Sequence, residues 1–462
     1  MTLLIASTMS DSGKSMVVAG LSRAFKARPV KVQNMSLNSF STYDGGEISF
    51  IQAYQAMGAG FTPSRENNPI LLKPTGKGVE VIFMGEPLGV MKADEYYSSI
   101  EDYWQKIKQG IKKDDIVEGA GGMGEPNFLD RDITVHRVAS ELKANIILVL
   151  DIDRGGAFAS AYGTYLMSPP SVRERMRGFI INKFRGDEKL LDPATSWLEE
   201  RTSMKYLGVI DYDDEFSMMP EDSMNVFPFG DGELDVGVIA YPYMSNFNEV
   251  FALAKSNSSV RFVRKRREVE KSDLLILPGT RNTVESLKWL KERGLDDVMK
   301  RKPLIGVCGG FQMMGHKLLD KAGLESGNPG EYLGLGIFDF DVVYGERKVV
   351  SQSLAMGGEL SGYEIRRGEV VYVNSKTRPL YVIERRNNLT VSVEDGAFEG
   401  DKLGLSIHGF MFSPQGKRIL RQFGIESTSG SLEQEVKEQV SSIEKKIREK
   451  IDLDQIEEIY KS

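Results

Sequence analysis

Short apolar runs alternate with longer amphipathic stretches along most of the chain. TLLIA (2–6) is followed by the polar STMSDSGKS (7–15) and then by MVVAGLSRAFKA (16–27). That order predicts strand, loop and helix. DIVEGAG (115–121), NIILVLDID (145–153) and RGFIINKF (177–184) read as further buried strands. YYSSIEDYWQKIKQGI (96–111) and VHRVASEL (135–142) lie between them with helical spacing. Apolar strands separated by helices predict a parallel sheet covered on both faces.

A glycine and acid break, FGDGE (229–233), precedes a second series: LDVGVIAYP (234–242), DLLILPG (273–279) and PLIGVCGG (303–310). The series closes with KLGLSIHGFMFS (402–413) and a helical QGKRILRQF (415–423). The domains are therefore expected at 1–231 and 232–427, with a charged amphipathic tail at 428–462. The tail is either packed on the body or a solvated arm. A chain of 462 residues is too long for one ordinary core, which agrees with two domains. No internal repeat is visible.

Composition narrows the class. Apolar content of 41% and charged content of 27% suit a soluble protein, and the net charge of −7 argues against a general nucleic-acid binder. A single cysteine permits no intrachain disulfide and fits a reducing cytoplasm. The start, MTLLIAST, lacks the basic region of a signal peptide, and no apolar run is long enough to span a bilayer, so no membrane partner is expected.

Two segments carry chemistry. In STMSDSGKS, backbone N–H groups of Ser10, Asp11, Ser12 and Gly13 and the helix N-terminus could cradle phosphates. Lys14 would reach the β- and γ-phosphates, and the Ser15 hydroxyl would bind Mg²⁺. The pattern is degenerate, since Thr8 stands where glycine is usual. Glu118, where a strand enters a glycine-rich loop, and Asp44, in STYDGGE, are the candidate carboxylates for the ion. The alternative, a solvated loop acid, is weightier for Asp44 than for Glu118.

The other segment is GVCGGFQMMG (306–315), which holds the lone Cys308. Gly-x-Cys-x-Gly between a strand and a helix is the sulfur form of a strained nucleophile turn. The Gly309 N–H would stabilise an oxyanion, and Gly279 in LPGT offers a second donor. Of three histidines, His136 lies in the first domain. His316, eight residues on along the same predicted helix, would be roughly 12 Å away. His408 is left as the base. No acid follows it two positions on, where Phe410 stands. The bland alternative is a buried thiol and a structural histidine.

VCGGFQMMG with IHG a hundred residues later resembles a class I glutamine amidotransferase domain. SDSGKS, QNMSLNSF, DGGEISFIQAYQAMGAG, NNPILLKP, EGAGG, DIDRGGAFAS, INKFRGD and PGTRNTVESLKWL resemble, in order, the cobyric acid synthase family. The resemblance covers about residues 1–425 and extends to the helical tail. It implies a dethiobiotin-synthetase-like, phosphate-loop NTPase-type domain followed by a glutaminase domain, both α/β. The implied reaction amidates four carboxylates of adenosylcobyrinic acid a,c-diamide with ATP, Mg²⁺ and L-glutamine, ammonia passing along a sheltered path. It further implies Lys31 at the transferred phosphoryl, Asn182 at adenine and Gln312 at glutamine. Asn34, Ser36, Asn38, Lys73, Asp151, Asp153 and Arg154 are implied substrate contacts, although Asn and Ser cap helices and an Asp–Arg pair can be a local ion pair.

Three positions depart from the family. Ser7 replaces a glycine, Arg366 in GYEIRRG replaces a histidine, and NFLDRDI shifts an arginine. Two other readings compete. QNMSLNS with DIDRGG argues against cobyrinic acid a,c-diamide synthase. The lack of a second lysine at positions 8–13 argues against a phosphate-loop switch with a dead amidotransferase domain. Whether copies associate into a homo-oligomer is not set by the sequence.

Overall fold

The computed structural model describes residues 1–75, 78–129, 131–212, 218–219, 226–374 and 376–462. Asp130 of NFLDRDI lies outside them. The chain divides into two compact units. One comprises residues 1–35, 51–218 and 436–462; the other comprises residues 36–50 and 219–435.

The first unit is built on β1 (Leu3–Ser7), β2 (Arg28–Val30), β3 (Asp115–Glu118), β4 (Asn145–Asp151), β5 (Met176–Phe184) and β6 (Lys205–Asp211). All pair in parallel, in the order β6-β5-β4-β1-β3-β2. β1 and β4 are buried along their whole length, which is why their sequences are continuous apolar runs rather than alternating ones. α1 (Lys14–Phe25) follows β1 after the polar loop. Strand order reverses beside β1, so the loops at its carboxyl end open onto the crevice where such sheets bind ligands. A smaller sheet over residues 33–91, largely antiparallel, was not visible in the periodicity.

The tail packs on this unit. α3 (Leu432–Lys450) buries Val436, Val440, Ile443 and Ile447, whose spacing lines one helical face. Ile443 and Ile447 lie over Gly20 of α1. α4 (Leu453–Lys461) is tied down where Asn145 Nδ2 donates to the Ile459 carbonyl at 2.7 Å.

The second unit contains β7 (Leu234–Ile239), β8 (Ser258–Val263), β9 (Leu274–Leu277), β10 (Leu304–Val307), β11 (Ala397–Glu399) and β12 (Lys402–Leu405). Their order is β8-β7-β9-β10-β12-β11, parallel except at the β11–β12 edge. A second sheet follows from residue 317. Here one expectation fails. The helix after Cys308, α2, covers only Gly309–Met313, and Lys317–Asp320 is a strand. The His316 N–H bonds the Phe340 carbonyl at 2.7 Å, so sheet pairing overrides the helical pattern of FQMMGHKLL. His316 is therefore not on the helix that follows Cys308; its Nδ1 lies 3.4 Å from Asp341.

Candidate active sites

In the first unit the phosphate loop joins β1 to α1. Gly13 sits at φ 93°, a left-handed conformation, and a Cβ there would fall 2.1 Å from Asn182 Nδ2. Only glycine meets both conditions. Asn182 Nδ2 donates to the Ser12 carbonyl at 2.8 Å, so this side chain holds the loop from outside. Ser10 and Asp11 are exposed at its tip. Lys14 is buried, its Nζ donating to Ser7 Oγ at 2.7 Å and to the Gly121 carbonyl at 2.9 Å. Ser7 Oγ thus acts as an acceptor for the lysine ammonium.

Glu118, at the end of β3, is the hub of the site. Its Oε1 accepts from Ser15 Oγ at 2.9 Å and from Lys31 Nζ at 2.8 Å; its Oε2 accepts from Gln55 Nε2 at 2.6 Å. Burial opposes the charge, but Lys31, Gln55 and Lys14 outweigh it and hold the carboxyl below its usual range. Gln55 had no part in the sequence reading. Among the described residues no three His, Cys, Asp or Glu side chains form a metal cage. A hydroxyl and one ionised carboxylate side by side fit a Mg²⁺ that takes its other oxygens from phosphate and water.

The remaining expected residues divide. Asn34 donates to Gln52 Oε1 at 2.9 Å, and Lys73 is buried on the strand Ile70–Thr75. Asp151 is buried, while Asp153 and Arg154 are exposed on the loop after β4. Ser36, Asn38 and Asp44 belong to the second unit. There the Asn38 Oδ1 accepts from the Asn246 N–H at 2.8 Å, Asn38 N–H bonds Ser36 Oγ at 3.1 Å, and Asp44 accepts from Thr42 Oγ1.

In the second unit Cys308 stands between β10 and α2 at φ 51° and ψ −110°. A non-glycine residue held there costs about 1–3 kcal/mol, and such strain gathers at functional turns. Its N–H bonds the Leu405 carbonyl at 2.8 Å, which ties the turn to β12 and so to His408 three residues beyond that strand. The Cys308 Sγ donates to the Ile365 carbonyl at 3.7 Å, and the sulfur lies near enough to the His408 imidazole to raise its pKa. A Cβ on Gly279 would lie 2.7 Å from His408 Cε1, so the LPGT turn presses its backbone against the ring. Gly309 opens α2, where N–H groups lack intrahelical partners. Gln312 is buried one turn on; its Oε1 accepts from Tyr344 Oη at 3.0 Å.

The orienting acid that the sequence did not reveal is Glu249. Its Oε1 lies 3.1 Å from His408 Nδ1, and both side chains are 1% exposed. Burial disfavours the imidazolium, but Glu249 and the thiol outweigh it and push the pKa of His408 up to about 10. Glu249 precedes His408 by 159 residues in an apolar stretch, NEVFALAK, so no local spacing pointed to it.

Arg366 is buried in this unit and makes bonds to Glu364 Oε1 at 3.0 and 2.9 Å and to the Gly368 carbonyl. Glu364 also pairs with Arg386 at 2.8 Å. Despite burial, the two guanidinium groups hold Glu364 at about 2. The Gly368 carbonyl also accepts from Gln312 Nε2 at 3.4 Å, so Arg366 and Gln312 share one acceptor.

Two family models match the chain. Residues 3–226 match the CobQ/CobB/MinD/ParA nucleotide binding domain, and residues 235–416 match the CobB/CobQ-like glutamine amidotransferase domain. A cobyric acid synthase of Listeria monocytogenes is 39% identical, over 88% of this chain and 84% of its own. Probable cobyric acid synthases of Methanosarcina mazei and Thermococcus kodakarensis are 38% and 37% identical. They cover 88% and 98% of this chain and 87% and 98% of their own.

Proposed function

The chain belongs to the cobyric acid synthase family of glutamine-dependent amidating enzymes in cobalamin biosynthesis, and from that premise we propose how its two sites divide the reaction. The substrate of this reading is adenosylcobyrinic acid a,c-diamide, amidated at its b, d, e and g carboxylates. Residues 1–231 supply the ATP-dependent synthetase, residues 232–427 the glutaminase, and 428–462 the helical tail.

The observation that carries the reading is Cys308 on its strained turn, beside a His408 whose pKa it raises and whose Nδ1 lies 3.1 Å from Glu249. The Cys308 sulfur attacks the side-chain amide carbon of glutamine. Gly309 and Gly279 N–H groups face the oxyanion, and His408 delivers a proton to the departing ammonia. Water then cleaves the thioester, giving glutamate and restoring the thiol. Gln312 contacts the bound glutamine.

At the other site a corrin carboxylate oxygen attacks the γ-phosphorus of ATP and ADP leaves. Ammonia then displaces phosphate from the acyl carbon. The carboxylate alone is a poor acceptor because its oxygen is a bad leaving group. Lys14 and Lys31 stand ready to neutralise phosphoryl charge, and positioning carries most of the acceleration. Bound Mg²⁺ would be held by Ser15 and Glu118 and would supply further charge neutralisation. Asn34, Lys73, Asp153 and Arg154 are the side chains of this unit assigned to the substrate.

Hydroxylamine trapping tests the phosphoryl step. With ATP and corrin substrate, this reading expects corrin hydroxamates together with ADP and phosphate. Formation of AMP and pyrophosphate would contradict it.

A further inference from the structure

Two consecutive residues at the end of β5 grip two consecutive carbonyls of the phosphate loop. Asn182 Nδ2 donates to the Ser12 carbonyl at 2.8 Å, and Lys183 Nζ donates to the Asp11 carbonyl at 2.6 Å. Lys183 also pairs with Asp151 Oδ2 at 2.7 Å. It does so from φ 62°, a conformation a lysine rarely adopts, so the surrounding fold imposes the side chain's direction.

A trans peptide is planar, and its C=O and N–H point opposite ways. Pinning the Asp11 oxygen toward Lys183 therefore turns the Ser12 N–H away from Lys183. Pinning the Ser12 oxygen toward Asn182 turns the Gly13 N–H away in the same manner. Positive φ at Asp11 (59°) and Gly13 (93°) alternates along this loop. Successive N–H groups in such a backbone form an anion-binding nest. Lys14 Nζ donates to Ser7 Oγ and to the Gly121 carbonyl. Asp151 also accepts from the Asp153 N–H at 3.0 Å, so its carboxylate is part of the brace.

We infer that Lys183, braced by Asp151, is a positioning residue that sets the phosphate-binding face of the nucleotide loop. This rests on the ATP reading of that loop. It assigns Asn182 to the loop backbone and Asp151 to the brace, in place of the adenine and substrate contacts that the family resemblance implied.

The test is calorimetric binding of AMP, ADP and a non-hydrolysable ATP analogue, each with Mg²⁺, to the full chain and to Lys183→Met and Lys183→Arg. A thermal melt of each variant accompanies the titrations. Lys183→Met should weaken the triphosphate about ten- to a hundredfold, the span of a lost charge-assisted hydrogen bond, and AMP by far less. Lys183→Arg should restore most of the loss. Unchanged triphosphate affinity in Lys183→Met would overturn the inference. So would an equal loss for all three nucleotides, which would mark a base contact or a general loss of fold. Should Lys183→Met not fold, Lys183→Arg decides alone: the inference requires near wild-type triphosphate affinity. A wild-type chain that binds none of the three would instead refute the ATP reading, and the inference with it.

Discussion

Replacing Glu249 by Gln keeps the shape beside His408 and removes the charge. In the native pair Glu249 Oε1 lies 3.1 Å from His408 Nδ1, with both groups buried. A hydrogen bond to a charged partner contributes about 1.5–3 kcal/mol, so its loss should lower glutaminase kcat/KM by roughly 10- to 150-fold. The pH profile gives an independent readout. His408 is held up to about 10 against the cost of burial, by Glu249 and by the thiol. Neutralising Glu249 removes one of those supports, so the alkaline limb of glutaminase activity should move to lower pH. Stability follows the same sign. A histidine whose folded pKa is raised contributes stability that is complete below its unfolded value, near 6.5, and is lost as pH rises toward 10. Glu249→Gln should therefore lower the melting temperature more at pH 6 than at pH 10. The assay is glutamate release across pH, beside ammonia-fed amidation, which should be unaffected. Unchanged glutaminase activity with an unmoved alkaline limb would refute the argument that Glu249 orients the base.

Three further substitutions probe other parts of the structure. Gly279→Ala places a methyl 2.7 Å from His408 Cε1 and should abolish most glutamine-dependent activity while ammonia-dependent activity persists; paired assays with the two nitrogen sources check it. Glu118→Gln should do the reverse, eliminating amidation from either nitrogen source and leaving glutaminase intact. Because the folded Glu118 is held below its ordinary value, its pairing stabilises above about pH 4.5 and fades as pH falls, so the variant's acid denaturation should lose that component. Ile443→Ala, beneath the tail helix, should cost about 2–5 kcal/mol and lower the melting temperature of the first unit, as read by calorimetry.

What was legible in the sequence was local. A phosphate loop is a contiguous object, and STMSDSGKS lies where it was expected, between β1 and α1. The turn at Cys308 is likewise contiguous, with its apolar strand before it and glycines on either side. His408 came from elimination, but one step of that elimination used a helix that ends at Met313; His316 lies beyond it, bonded to the Phe340 carbonyl just before the strand Lys317–Asp320. Glu249 was invisible because only the folded chain brings it to a residue 159 positions away. The tail's partners were hidden for the same reason. Its apolar stripe was readable, but Gly20 and Gly58, the flat surfaces it covers, carry no periodic signal of their own. The family resemblance implied Asn182 at adenine and Asp151 at the substrate, whereas in the structure Asn182 Nδ2 bonds the Ser12 carbonyl and Asp151 pairs with Lys183, contacts between residues far apart in the chain that leave no local signal.

The central claim is that this chain makes ammonia at Cys308 and spends it on ATP-activated corrin carboxylates. The most direct measurement is the mass gain of adenosylcobyrinic acid a,c-diamide incubated with ATP and Mg²⁺, with either glutamine or ammonia, using the wild-type chain and Cys308→Ala. The account predicts four successive amidations by the wild type from either source. Cys308→Ala should retain them with ammonia and lose them with glutamine. No mass gain from either source by folded, ATP-binding wild-type protein would contradict it, as would glutamine-dependent amidation that survives the loss of Cys308.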